Sequence, residues 1–213
     1  MKKKNCAVSI LLAFLMIASC AACAKTASPE QSGAMEPQEI ENAPVTMSEE
    51  MTFREMVEAY GESAGIAYTD AQGNFADKPE NLSDEDACYR ILSVKLEVDD
   101  DYSPRLELYC EMAGDETAQS AGSICAVLVA GTSGEVSKQF GGEAQAWLRE
   151  GNSIEYVVNG DFFNKGATTH ESEAIAEAGA ADSALYTSQV SEASNHYKYF
   201  YEHRTVEYGE AEV

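Results

Sequence analysis

From Tyr89 onward the chain alternates apolar and polar residues with the period of two that marks half-buried strands. Leu92, Val94, Leu96 and Val98 share one face, with Ser93, Lys95 and Glu97 on the other. After a polar turn over 99–104, Leu106, Leu108, Cys110 and Met112 repeat the pattern. Together these runs predict a β-hairpin with one buried face. Residues 124–130 are continuously apolar, which suits a central strand covered on both sides. Residues 154–158 and 161–163 flank Asn159-Gly160. That dipeptide predicts a tight hairpin, because both residues tolerate positive φ. Asn164-Lys165-Gly166 predicts another tight turn, and residues 195–208 alternate again. Two stretches remain open. Residues 143–150 read as a short helix stopped by Gly151, or as a strand with Ala144, Ala146 and Leu148 inward; residues 171–181, rich in Ala and Glu, read as loop or strand.

Upstream the period changes. Phe53, Met56, Val57 and Tyr60 fall at helical spacing within residues 46–60. Thr46-x-x-Glu49 and Thr52-x-x-Glu55 both have the form of a capping box, and Gly61 can end the helix. Residues 68–75 read as a turn between two extended pieces. The sum is a mainly β domain over 46–213: an antiparallel β-sandwich or barrel-like fold of seven or eight short strands, with one short N-terminal amphipathic helix.

The first twenty residues obey another logic. Lys2, Lys3 and Lys4 precede an apolar run over 7–18, broken by Ser9. A permanent membrane helix needs about 20 apolar residues, so this run reads as an export signal. It ends Ile17-Ala18-Ser19-Cys20. This tetrapeptide resembles the lipobox of bacterial prolipoproteins: a branched aliphatic residue, two small residues and a cysteine. The resemblance implies a signal peptide over 1–19 and a diacylglyceryl group on Cys20. That lipid would anchor the chain to the extracytoplasmic face of the cell membrane. Secretory cleavage near residues 22–24 and lipidation at Cys23 are the rivals. Residues 20–45 then form a lipidated linker, too poor in large apolar side chains to fold and therefore disordered. In architecture the whole resembles the secreted lipoproteins of Gram-positive bacteria.

Charge narrows the partners. The formal charge is −23, and the first nineteen residues hold three lysines and no acids, so the chain from Cys20 onward carries −26. That argues against nucleic acid and against an electrostatic grip on anionic lipid. The acids are spread along the chain, which fits solubility more simply than a dedicated cation site.

Candidate chemistry is sparse. There is no Gly-x-Ser-x-Gly elbow, no phosphate-binding loop and no His-Glu-x-x-His pattern. His170, His196 and His203 are scattered, and the last two sit seven apart on one predicted strand, which points them to opposite faces. Asp70-Ala71-Gln72-Gly73-Asn74 lacks the register of a calcium loop; Asp84-Glu85-Asp86 and Asp99-Asp100-Asp101 are denser acid groups, so weak Ca²⁺ is the single cofactor considered. Cys20-Ala21-Ala22-Cys23 has redox spacing, but the lipobox already accounts for Cys20. Antiparallel pairing of 105–112 with 123–130 brings Cys110 near Cys125, as a disulfide or as two buried thiols, with Cys88 left unpaired or pairing in place of one of them.

Tyr197, Tyr199 and Tyr201 share one face of the C-terminal strand, and Trp147 is a candidate neighbour. Exposed, they would form an aromatic platform for sugar rings or a peptide. With Lys198, Glu202 and Arg204 read as the solvent side, they instead pack against a second sheet. The expected function is a non-catalytic, surface-tethered domain that binds an extracellular ligand or envelope protein. An envelope hydrolase with an unrecognised site and an accessory lipoprotein docked on an envelope or transport complex are the alternatives.

Overall fold

The computed structural model describes residues 45–75, 89–113, 120–131, 138–150, 152–175 and 181–209. All of these lie in one compact unit, Glu36–Val213. The leader, Cys20 and its lipobox, the linker up to residue 44, Cys23, Cys88 and the acid run 84–86 lie outside the described residues, whereas Val45, the last linker residue, packs against the core.

The fold is mainly β, as the alternation predicts. Strands β1 (Thr46–Met47), β2 (Tyr89–Lys95), β3 (Arg105–Ala113) and β4 (Ser120–Ala130) form an antiparallel sheet in that order. The predicted hairpin is β2–β3, with Leu92 opposite Leu108 and Val94 opposite Leu106. Its second face is buried as well. Tyr89 and Tyr109 on that face meet the rings of Phe53 and Tyr60 at 5.6 and 5.2 Å. β4 is covered on both sides but is terminal in its sheet, not central. The Ala181 carbonyl accepts from Ile124 N–H (2.8 Å), and Ser172 Oγ accepts from Val127 N–H (2.9 Å), so this edge is closed by other contacts.

The helix begins later than 46. Thr46 belongs to β1, and α1 spans Phe53–Ala64. Thr52 is its N-cap, and the capping box with Glu55 is complete. Gly61 does not end the helix. Gly65 does, at φ 71°, a left-handed conformation that glycine adopts without strain. A second helix, α2 (Tyr68–Gln72), replaces the turn predicted there. Asn74 Nδ2 donates to the Asp70 carbonyl (3.1 Å), so this Asp-rich stretch folds back on itself.

The second layer is built from β5 (Gln139–Arg149), β6 (Ser153–Ile175) and β7 (Ser183–Glu207). The open stretch is therefore strand as far as Arg149, with Ala144 and Ala146 buried. Pairings β5–β6, β6–β7 and β7–β5 close into a barrel. Closure is possible because β6 and β7 are long and bent. β5 pairs with the start of β6 along one edge and with the start of β7 along the other.

Asn159-Gly160 is not a turn. Gly160 sits inside β6, between Gly142 of β5 and Phe200 of β7. A Cβ there would lie 2.6 Å from the Gly141 carbonyl oxygen and 2.7 Å from the Phe140 ring. Glycine is needed for close approach, not for a reversal. Asn164-Lys165-Gly166 is likewise no turn but a stretch of β6 with a register shift between Lys165 and Ala167. One core cluster joins α1, both layers and their aromatic side chains.

Candidate functional site

Even-numbered positions of β6 point inward: Ile154, Tyr156, Val158 and Phe162 are fully buried. Odd positions point outward, and pairing fixes what stands beside them. Asn159 lies between Glu143 of β5 and Tyr201 of β7, and Asp161 lies between Gly141 and Tyr199. The outer face is therefore a patchwork of aromatic rings, amides and carboxylates.

Tyr199 and Tyr201 are 55% and 38% exposed, two of the three large apolar side chains exposed among the described residues. This overturns the expectation that the tyrosines face the core. The inward side of the strand carries Phe200, Glu202, Arg204 and Val206. Glu202 and Arg204 are almost enclosed, at 12% and 11% side-chain exposure, and make a 2.9 Å ion pair. Tyr156 OH donates to the same carboxylate (3.0 Å). A mostly enclosed charge pair thus occupies positions that a reading by polarity alone assigns to solvent.

Two residues apart on one strand, Tyr199 and Tyr201 are spaced by about 7 Å. The Tyr199 hydroxyl donates to Asn159 Oδ1 (2.8 Å), which fixes one ring. Tyr197 departs from this pair. It is half-buried, its hydroxyl bonds Asp99, and its ring meets Tyr102 at 6.1 Å and the Lys138 ammonium at 4.5 Å. The Asp99 carboxylate pushes the Tyr197 phenol up to about 12. Tyr197 therefore works as a clasp between β7 and the turn after β2. Trp147 shares the outer face but lies in the row of Glu155, with the Arg149 guanidinium 5.6 Å over its ring. Four residues along β5 separate it from the row of Tyr201, about 13 Å.

The histidines also move. A register shift between Phe162 and Phe163 inserts an extra residue at Tyr197, so Phe163 stands opposite His196. His196 thereby returns to the face that carries His203, instead of the opposite one. His196 Nε2 lies 2.8 Å from Asp161 Oδ1, and His203 Nε2 lies 2.9 Å from Glu155 Oε1. Their partners on β6 are six residues apart, about 20 Å along the strand, too far for a shared metal. Among the described residues no three His, Cys, Asp or Glu side chains are placed to hold a metal ion. His170 is elsewhere, with Nδ1 at 2.7 Å from Tyr186 OH and burial holding its pKa down.

Cys110 and Cys125 are both free thiols. Cys110 stands opposite Ile124, and Cys125 falls in the register shift beside it. Burial raises both, Cys125 up to about 12, which leaves them as unreactive thiols.

Glu155 is a checkable member of this face. The hydrogen bond with His203, and then that from Arg149, hold its carboxyl below its ordinary value. The stabilisation is present above the unfolded value and is lost as pH falls through the lower folded one. Glu155→Gln is expected to remove about 0.5–1 kcal/mol at pH 7 and progressively less as pH falls through the lowered folded value. Urea unfolding across that range reads the difference, and parallel stability curves would refute it.

Comparison with known proteins adds no relative. No protein-family model, curated protein or solved structure matches this chain.

Proposed function

We propose that this chain is a cell-surface lipoprotein whose β domain is a non-catalytic binding module. In this reading the lipid on Cys20 holds it at the extracytoplasmic face, and residues 20–45 supply reach. The binding face is the outer side of β5, β6 and β7. The exposure of Tyr199 and Tyr201 carries this reading. Exposed aromatic rings, one of them held by a hydrogen bond, are the anchors that dominate recognition surfaces. Carboxylates and amides between the rings supply acceptors for a polar ligand. The charge of −23 directs the face away from nucleic acid.

A glycan and peptide array probed with the full chain, with and without calcium, tests the reading. At least one ligand class should bind and be lost in the Tyr199→Ala/Tyr201→Ala variant. Silence in every condition would sink the binding role and shift weight to an accessory role in an envelope complex. The anchor is tested apart: Cys20→Ser should abolish lipid labelling and release the protein. Labelling that persists there and vanishes in Cys23→Ser would move the cleavage site.

A further inference from the structure

Beside the tyrosine face runs an open sheet edge. Residues 199–207 of β7 pair with β6 on one side. On the other side, among the described residues, no backbone hydrogen bond reaches them. In an antiparallel strand alternate residues turn both N–H and C=O away from the paired neighbour, so this edge presents a ladder of unused donors and acceptors. Several other edges are blunted. β1 is two residues long, β4 is met by Ala181 and Ser172, and the later part of β6 is met by Asn74, whose side chain accepts from Ser172 N–H (3.0 Å). Short or covered edges are the usual protection against strand addition. Among the described residues, 199–207 lack it, as do 164–170 and 189–194, but 199–207 are the stretch that carries the exposed Tyr199 and Tyr201.

We propose that this edge receives an extended, basic polypeptide as an added strand, with its outward side chains lying against Tyr199 and Tyr201. The inference rests on the binding role proposed above and names its ligand class. An extended polypeptide is the chemistry that fills a ladder of N–H and C=O groups at strand spacing, and aromatic side chains beside the ladder supply side-chain contacts. Charge selects the sign. The chain has 37 acids against 14 lysines and arginines, exposed Glu207 lies on the edge strand, and the cations of that stretch are already engaged, Arg204 by Glu202 and His203 by Glu155. The same charge opposes a second copy of the chain, since two such surfaces repel.

The test is calorimetric titration of the full chain with a blocked peptide of alternating lysine and valine, paired with backbone amide exchange. The peptide should bind, and exchange should slow within residues 199–207. N-methylation at alternate peptide residues should weaken binding about tenfold or more, because it removes the ladder donors while keeping the charge. Replacing lysine by glutamate should abolish binding. Equal binding of the methylated peptide, equal binding of the glutamate peptide, or binding without slowed exchange at 199–207 would each overturn the proposal. So would self-association of the chain with no peptide bound. A chitooligosaccharide that binds through Tyr199, with no peptide bound, would overturn strand addition and leave the binding role standing. Failure of every ligand would remove both.

Discussion

Gly160→Ala is expected to cost about 3 kcal/mol, the upper end of overpacking effects. The added methyl meets a backbone carbonyl at 2.6 Å on one side and the Phe140 ring at 2.7 Å on the other. Neither is the free end of a flexible chain, so the strands must part. For a domain of this size the midpoint of thermal unfolding should fall by roughly 6–12 °C. A companion variant decides between strand and turn. In a two-residue hairpin both central residues need positive φ, so Asn159→Thr would be costly. In a strand it places a β-branched residue at an exposed position and removes the exposed Tyr199 hydrogen bond, and should change stability by less than about 1 kcal/mol. If Asn159→Thr proves the more damaging of the two, β6 is not continuous in solution.

The same two residues show how far the sequence can be read. The period of two does not break at Asn159-Gly160: Ile154, Tyr156, Val158, Gly160 and Phe162 all keep one parity. A two-residue turn would set Asp161 opposite Val158, on the buried face, and turn Phe162 outward. Polarity opposes the hairpin, but the local turn signal is strong enough to mask it. The missing information is tertiary, namely that Phe140 fills the space above a glycine. Elements whose signals are local come through more cleanly. The β2–β3 hairpin follows alternation, and the helix start follows one of two capping boxes. The other box, at Thr46, fails because residues 46–47 pair with β2 instead.

Legibility of the candidate site falls with the hairpin. With β6 cut in two, Asn159, Asp161 and Glu155 have no reason to stand beside Tyr199 and Tyr201. The register shift at Tyr197 is also invisible in a simple alternation count, and it alone brings His196 to the face of His203. Alternation finds the tyrosine strand itself but exchanges its sides. Charged Lys198, Glu202 and Arg204 look wet and tyrosines look dry, which is the better bet for any strand without a partner for its charges. Here Glu202 and Arg204 are partners for each other.

That exchange has a large energetic consequence. Arg204→Met should destabilise the domain by about 2–3 kcal/mol at pH 7, below the range for removing one member of a fully buried ion pair because these two side chains keep some contact with water. Glu202 would keep its desolvation without its counter-charge. Desolvation already raises the Glu202 carboxyl, with Glu97 adding to the rise, and Arg204 and the Tyr156 hydroxyl oppose it. Without Arg204 the folded value climbs further. A carboxylate raised on folding costs nothing below its unfolded value of about 4.3, where both states are protonated. The cost then grows as pH rises and levels off above the folded value. The deficit of Arg204→Met should therefore shrink as pH falls from 7 to 4. The double variant Glu202→Gln/Arg204→Met removes both charges and keeps an acceptor for Tyr156, and it should recover most of the loss at pH 7. Urea unfolding of the three variants at both pH values gives the full cycle. A small, pH-independent loss in Arg204→Met would mean that these side chains stand in water and that the tyrosines take the inner face after all.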